Sequence, residues 1–222
     1  MRTEFTSVED LRRHLPEVVH LYLRDFIEAV YDEDTKRLGI IYRDIDPVNP
    51  RENYDHLTRI FIPRSGPVRG DTDDIDELYE LLGRKGCDTD WDGWQPARPQ
   101  DLVAVCKQYG IDLRPLYAHI HGGIILSLSP FSCKWDSGQC GWVWLDLDDP
   151  EVKSVAKRVD GIDSIFRIEV QEFHQYVSGD VYGIGVYRIG EDGHPDLVNC
   201  EEVWEFFGLD HTREELETMM ED

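Results

Sequence analysis

The chain is poor in positive charge. Of its 222 residues, 23 are lysine or arginine and 46 are aspartate or glutamate, so the formal net charge is −23 at pH 7. Nucleic acids and anionic membranes are themselves polyanions, and this charge argues against direct binding to either. It favours a basic partner, a divalent cation or a high-salt environment.

Long apolar runs and paired cysteine motifs are also missing. No segment approaches the roughly 18 apolar residues of a membrane span, and the N-terminal MRTEFTSVED has no apolar signal core. The cysteines are odd in number and lack C-x-x-C spacing, which predicts a reduced, cytoplasmic protein. Hydrophobic residues make up 41% of the chain, enough to form a folded core rather than a disordered acidic tail.

Helix-like and strand-like periodicities mix without a strict βαβ order. The sequence therefore predicts an α+β fold with a mixed, mainly antiparallel sheet and helices packed on it. Ser7 is a candidate N-cap, and an apolar stripe from Leu11 to Val30 predicts an N-terminal amphipathic helix with a kink or restart at Pro16. The Pro- and Gly-containing segment 63–74 predicts an N-terminal region, 1–63, and a main α+β region, 64–222, unless 1–222 forms a single domain.

Other elements follow from the same patterns. Strands are predicted at 38–42, 57–62, 116–120, 123–128, 141–145 and 180–189. Helices are predicted at 73–82, 100–109, from Pro150 onward, and at 162–177, 203–207 and 213–219.

The stretch 116–145, LYAHIHGGIILSLSPFSCKWDSGQCGWVWL, concentrates reactive side chains between two apolar runs. His119 and His121 share one face of an extended strand because they are two residues apart. We expect the strands of this stretch to share one sheet with 180–189, with the loop 129–140 at one end. Loops held by a rigid sheet are common places for binding and catalytic groups.

Three runs, HGGI, SPFSCKWDSGQCG and QYVSGDVYG, resemble a group of uncharacterised proteins encoded by bacteriophages and other mobile elements. The resemblance covers about 113–183 and implies a mobile-element origin, without an established activity. His119 and Cys140 depart from the pattern of the group, which argues against a site that depends on them. Within these runs we predict binding residues, namely Trp135, Ser137, Gln139 and Tyr182.

One alternative is a small cysteine-dependent hydrolase or transferase. Cys133 would be the nucleophile and His121 the base, with Asp136 or Asp180 orienting the imidazole. Lys134 next to Cys133 could lower the pKa of the thiol. The opposing interpretation is that Cys133 and His121 are ordinary packed residues.

Two metal patterns are incomplete, and we expect neither a metal nor a cofactor. Candidate zinc ligands, with unusual spacing, are His119, His121, Cys133, Cys140 and His174. The run Asp88 to Gly93 starts like a calcium loop, but Pro99 stands where the bidentate glutamate is needed, so it predicts a solvated acidic loop.

Acidic residues cluster at 71–80, 88–92, 146–151, 191–205 and 215–222. Surface carboxylates can imitate the phosphates of the DNA backbone. The clusters therefore predict a non-enzymatic acidic binding protein, a DNA mimic that inhibits a host defence or nucleic-acid-binding protein. Its predicted binding residues include Asp73, Asp76 and Glu80. The partner would be a basic host protein or nucleic-acid-binding complex; the oligomeric state is not predicted. The alternative is a merely solvated or halophilic surface.

Gly183 and Gly185 allow the close approach of either a ligand or a packing partner.

Overall fold

The structure is a computed structural model that describes residues 1–21, 23–88 and 99–221. These residues form two compact units. The terminal unit comprises Met1–Val48 and Gly179–Asp222, and the central unit comprises Asn49–Ser178. The units therefore divide at 48/49 and 178/179.

The described residues form strands and helices in the following order along the chain. The strands are β1 (Arg2–Phe5), β2 (Phe26–Asp32), β3 (Arg37–Arg43), β4 (Arg59–Phe61), β5 (Ile111–Ile120), β6 (Ile124–Ser127), β7 (Ser137–Asp146), β8 (Val181–Arg188) and β9 (Glu201–Phe207). The α-helices are α1 (Val8–His14), α2 (Pro50–Asn53), α3 (Asp76–Arg84), α4 (Pro99–Gln108), α5 (Pro150–Ala156), α6 (Ile162–Ser178) and α7 (Leu209–Glu221), and a 3-10 helix spans Pro16–His20.

The N-terminal helix is much shorter than predicted. Ser7 caps α1 by accepting a hydrogen bond from the Asp10 backbone N–H at 3.2 Å, as its position indicated. The helix ends at His14, and Pro16, which cannot donate a backbone hydrogen bond, starts the 3-10 helix. The predicted continuation to Val30 is wrong, because Phe26–Asp32 is a strand that pairs with both β1 and β3.

The terminal unit is one antiparallel sheet with the strand order β1-β2-β3-β8-β9. Leu38 and Ile40 face the side covered by α1 and the 3-10 helix, where Leu11 and Val18 are fully buried. The opposite face packs against Leu216 of α7. The predicted helix at 203–207 is wrong, since this segment lies within β9 and pairs with β8.

The central unit is a second antiparallel sheet, with the order β4-β7-β5-β6. Helices α5 and α6 cover one face, where Phe166 and Phe173 are buried with Val143. Helices α3 and α4 cover the other, where Leu78 packs with Trp144. Two antiparallel sheets with helices packed on them confirm the predicted α+β class. The expectation that 180–189 shares a sheet with 116–145 is wrong, because β8 belongs to the sheet of the terminal unit.

A buried arginine ties together several segments of the central unit. The Arg51 side chain is 1% exposed and donates two parallel hydrogen bonds to Asp71, at 2.7 and 2.6 Å. It also donates to the Thr58 carbonyl at 2.6 Å, and its Nη1 lies 3.4 Å from Glu169 of α6. Glu169 in turn accepts the backbone N–H groups of Leu57 and Thr58, both at 2.9 Å. This network fixes the chain before β4 against α6.

None of the helices within the described residues is long and apolar enough to cross a membrane.

Candidate functional site

The loop between β6 and β7 carries most of the motif residues singled out in the sequence. In the pairing of β5 with β7, Leu116 faces Gly141 and Tyr117 faces Gln139, so Cys140 is an extra residue in β7. The Cys140 thiol packs against the core under α6 and lies 3.5 Å from the Leu116 carbonyl. Burial raises the pKa of Cys140 to about 11, which makes it a poor nucleophile near neutral pH.

His119 and His121 share one end of this region with Asp136. Their rings are stacked with centroids 6.4 Å apart, and the His119 ring lies 5.5 Å from that of Phe131. His121 is 78% exposed, and its Nδ1 is 3.4 Å from Asp136 Oδ2. Nδ1 of His119 is buried and has no hydrogen-bond partner among the described residues. The structure thus brings His121 and Asp136 into contact on an open surface.

The Cys133 thiol is not part of this contact. Cys133 is half-buried and its carbonyl accepts the Ser137 hydroxyl, but its thiol makes no hydrogen bond to any residue that the structure describes. Asp180 belongs to the terminal unit, where its Oδ1 accepts the Tyr182 hydroxyl at 2.8 Å. The Tyr182 side chain is itself buried against the sheet under α7, so its ring is a core group.

The other predicted binding residues of the loop differ in exposure and in role. Trp135 is 96% exposed, so its indole is available to a partner. The Gln139 amide donates to the Gly141 carbonyl at 3.1 Å, which holds it along its own strand. Ser137 is engaged with Cys133. Trp135 is therefore the side chain of this loop best placed for contact with another molecule.

The candidate zinc ligands do not assemble. Within the described part of the chain, no group of three or more His, Cys, Asp or Glu side chains is arranged to hold a metal ion. His174 lies on α6, and its Nδ1 is 3.4 Å from the Leu126 backbone N–H. The acidic run from Asp88 to Gly93 falls largely outside the described residues, which stop at 88 and resume at 99.

Asp73, Asp76 and Glu80, predicted from the acidic clustering, lie in different electrostatic settings. Asp73 is paired with Arg64 at 2.6 Å, and this hydrogen bond lowers the pKa of its carboxyl group. Desolvation, together with the charges of Asp74 and Glu80, raises the pKa of Asp76. Asp73 is thus already neutralised by a partner, whereas Asp76 and Glu80 concentrate negative charge on α3.

Glu80 also lines a polar groove of about 500 Å³ in the central unit, which we call the acidic groove. Helix α3, strands β4 and β7, and the start of α5 form its walls. Its charged lining consists of the carboxylates of Glu77, Glu80, Asp146, Asp149 and Glu151 and the guanidinium groups of Arg59 and Arg84. With five carboxylates against two guanidinium groups, the groove carries an excess of negative charge.

Two of these carboxylates are occupied by contacts within the protein. Asp146 pairs with Lys85 at 2.6 Å, and Asp149 caps α5 by accepting the Glu151 backbone N–H at 2.7 Å. The side chains of Glu77, Glu80 and Glu151 form no ion pair or hydrogen bond with the described residues. These three carboxylates are available to a cation from outside.

The sequence indicates both acidic segments that line the groove, but it does not show that they lie side by side. Glu77 and Glu80 are three residues apart and therefore share one side of α3. The run from Asp146 to Glu151 passes from the end of β7 to the first turn of α5. Only the packing of α3 and α5 around the sheet shows that these carboxylates face the same depression.

Comparison with models of protein families, with curated protein sequences and with solved structures gave no match for this chain.

Proposed function

We propose that this protein is an acidic, non-enzymatic binding protein that takes up basic side chains of a partner protein in the acidic groove. The observation that supports the proposal is the convergence of the uncommitted carboxylates of Glu77, Glu80 and Glu151 on one concave surface. A lysine or arginine side chain entering the groove exchanges water for charge-assisted hydrogen bonds. The two arginines in the lining restrict where a second cation can sit and so contribute to specificity.

The nature of the partner follows from the charge of the whole chain. A net charge of −23 steers basic surfaces toward the protein and repels nucleic acids. Basic clefts that bind DNA are attracted by the same electrostatics, so a host nucleic-acid-binding or defence protein in the cytoplasm is the partner we propose. The resemblance to mobile-element proteins supports such an anti-defence, DNA-mimicking role, because these elements must evade host nucleases.

The test is the binding of a fluorescent arginine-rich peptide, followed by anisotropy at several salt concentrations. The variant Glu77→Gln/Glu80→Gln/Glu151→Gln removes the three open carboxylates of the groove. The matched control, Glu214→Gln/Glu217→Gln/Glu221→Gln, removes three exposed carboxylates from α7, so the two variants carry the same net charge. We expect the groove variant to bind at least tenfold more weakly and the control to change affinity less than twofold.

Two results would contradict this proposal. An equal loss in both variants would show that only net charge matters. Binding that persists at about 1 M salt, where screening acts within roughly 3 Å, would show that the interaction is not electrostatic. The same variants, used to capture partners from a host extract with DNA as competitor, test whether the partner is a nucleic-acid-binding protein.

A cysteine-dependent enzyme is the second candidate, favoured by the contact between His121 and Asp136. In this function the imidazole would accept the thiol proton of Cys133 after a movement of the exposed loop. Iodoacetamide should then modify Cys133 faster than a free thiol model peptide, and His121→Ala should slow the reaction. Labelling at the model rate in both proteins would leave Cys133 as a packed residue.

A further inference from the structure

The terminal unit contains a second concave site, which we call the aromatic pocket. It has a volume of about 280 Å³ and is lined by the rings of Tyr42 and Trp204 and by the apolar side chains of Leu21 and Leu197. Ligand pockets in proteins are commonly about 300–1,000 Å³, so this one fits a small group. The two rings are stacked, with centroids 6.1 Å apart and an interplanar angle of 29°.

A chain of hydrogen bonds runs along the pocket and ends at a carboxylate. The Tyr187 hydroxyl donates to Glu202 at 2.7 Å, because an ionised carboxylate only accepts. The Tyr187 oxygen lies 3.3 Å from the Tyr42 hydroxyl, which must then be the donor of that bond. Burial raises the pKa of Tyr42 to about 12 and also raises that of Tyr187, so both phenols keep their protons at physiological pH.

The pocket therefore offers a ligand mainly a hydrogen-bond acceptor. Both tyrosine protons are committed, and the Cys200 thiol is directed at the Leu197 carbonyl 3.5 Å away. The second carboxylate oxygen of Glu202 has no hydrogen-bond partner in the described part of the chain. Among the described lining side chains, the indole N–H of Trp204 is the remaining donor. The pocket thus combines one negative charge with aromatic and aliphatic walls.

We infer that the aromatic pocket binds an alkylated ammonium cation, such as a quaternary trimethylammonium group. A cation within about 6 Å of an aromatic centroid is attracted to the ring, and the walls here are two such rings. The Glu202 carboxylate neutralises the charge, and the leucines contact the alkyl substituents. An anion would meet Glu202 without a compensating cation in the lining. This site is independent of the acidic groove and of the function proposed for it.

The test uses choline and its neutral isostere 3,3-dimethylbutan-1-ol, measured by isothermal titration calorimetry on the full chain. We expect choline to bind and the neutral isostere to bind at least tenfold more weakly. Glu202→Gln should lower the affinity for choline at least tenfold. The matched control is Glu201→Gln, which removes the same charge from the neighbouring residue of β9, whose side chain is not part of the pocket lining. The control should bind as the unaltered protein does.

A second readout locates the bound cation. Cys200 is a half-buried thiol of the pocket lining, so bound choline should slow its alkylation by iodoacetamide. Equal affinity for choline and the neutral isostere, an unchanged affinity in Glu202→Gln, or no binding of choline at 10 mM would each overturn the inference.

The same chemistry can come from a free metabolite or from a modified side chain. A peptide containing trimethyllysine, compared with its unmodified form, distinguishes the two sources. Binding of the modified peptide at least tenfold tighter than choline identifies a protein side chain as the ligand. Affinity no better than that of choline identifies a small molecule.

Discussion

The buried arginine of the central unit gives the sharpest test of how this fold is held together. Replacing Arg51 by methionine keeps much of the side-chain volume and removes the charge. Asp71, 5% exposed, then loses both hydrogen bonds from the guanidinium group and keeps the one from the Ile60 backbone N–H at 2.7 Å. Glu169 loses less, because it still accepts from Leu57 and Thr58.

The expected cost follows from the unpaired carboxylate. Removing one partner of a buried ion pair typically destabilises a protein by about 3–5 kcal/mol, since the remaining charge stays buried without compensation. With a urea m-value of about 2 kcal/mol/M, the unfolding midpoint should fall by about 2 M. Adding Asp71→Leu to Arg51→Met removes the unpaired charge and should recover part of the loss.

The assay is urea denaturation followed by circular dichroism. Arg64→Met is the matched control, because Arg64 also pairs with an aspartate at 2.6 Å but its side chain is 86% exposed. We expect no measurable shift of the midpoint for this control, as exposed ion pairs contribute little. A midpoint for Arg51→Met equal to that of Arg64→Met, or no recovery in the double variant, would refute the reasoning.

Two further predictions concern ionisable core groups. Burial raises the pKa of Cys106 to about 12 and that of Cys140 to about 11, so both thiols should resist iodoacetamide at pH 8 until urea unfolds the chain. Mass spectrometry of labelled peptides measures this, and rapid labelling of the two cysteines in the native protein would contradict the prediction. In the folded state the pKa of Cys106 exceeds the ordinary 9.0 and that of Tyr42 exceeds the ordinary 10.0, so the folded state holds these protons more tightly than the unfolded state does. The free energy of unfolding should therefore be highest below about pH 9 and should fall as the pH rises toward 12. Cys106→Ala and Tyr42→Phe should each flatten that fall, and a pH-independent stability in the unaltered protein would show that the groups are solvated.

The sequence predicted the elements with strong local signals. The predicted helix over 162–177 has a one-sided apolar face, and the structure places α6 there. The helix is followed directly by Gly179, whose φ of 72° suits glycine. Pro150 stands at the start of α5, the position where its missing N–H costs nothing. Capping, proline placement and helical periodicity are properties of neighbouring residues, so they can be recognised without knowing the fold.

The errors occur where pairing partners decide the structure. Phe26–Asp32 fits a helical stripe, but it is rich in aromatic and branched residues and becomes a strand between β1 and β3. The segment 203–207 becomes part of β9 because β8 offers it a ladder of hydrogen bonds. These partners are distant in the sequence: all residues of the central unit lie between β3 and β8 along the chain. For the same reason, the sequence identified the acidic segments but not the groove that they form.

The glycines of the QYVSGDVYG run show how packing and binding combine in one residue. A methyl group added at Gly183 would lie 2.2 Å from a ring atom of Trp204, so the absence of a side chain lets the indole approach the backbone of β8 closely. The immediate role of Gly183 is therefore packing. The indole that it accommodates is also a wall of the aromatic pocket, beside Tyr42, which is the partner of Gly183 in the pairing of β3 with β8. A larger residue at 183 must displace this wall, so the requirement for glycine follows from the shape of the pocket as well as from the sheet.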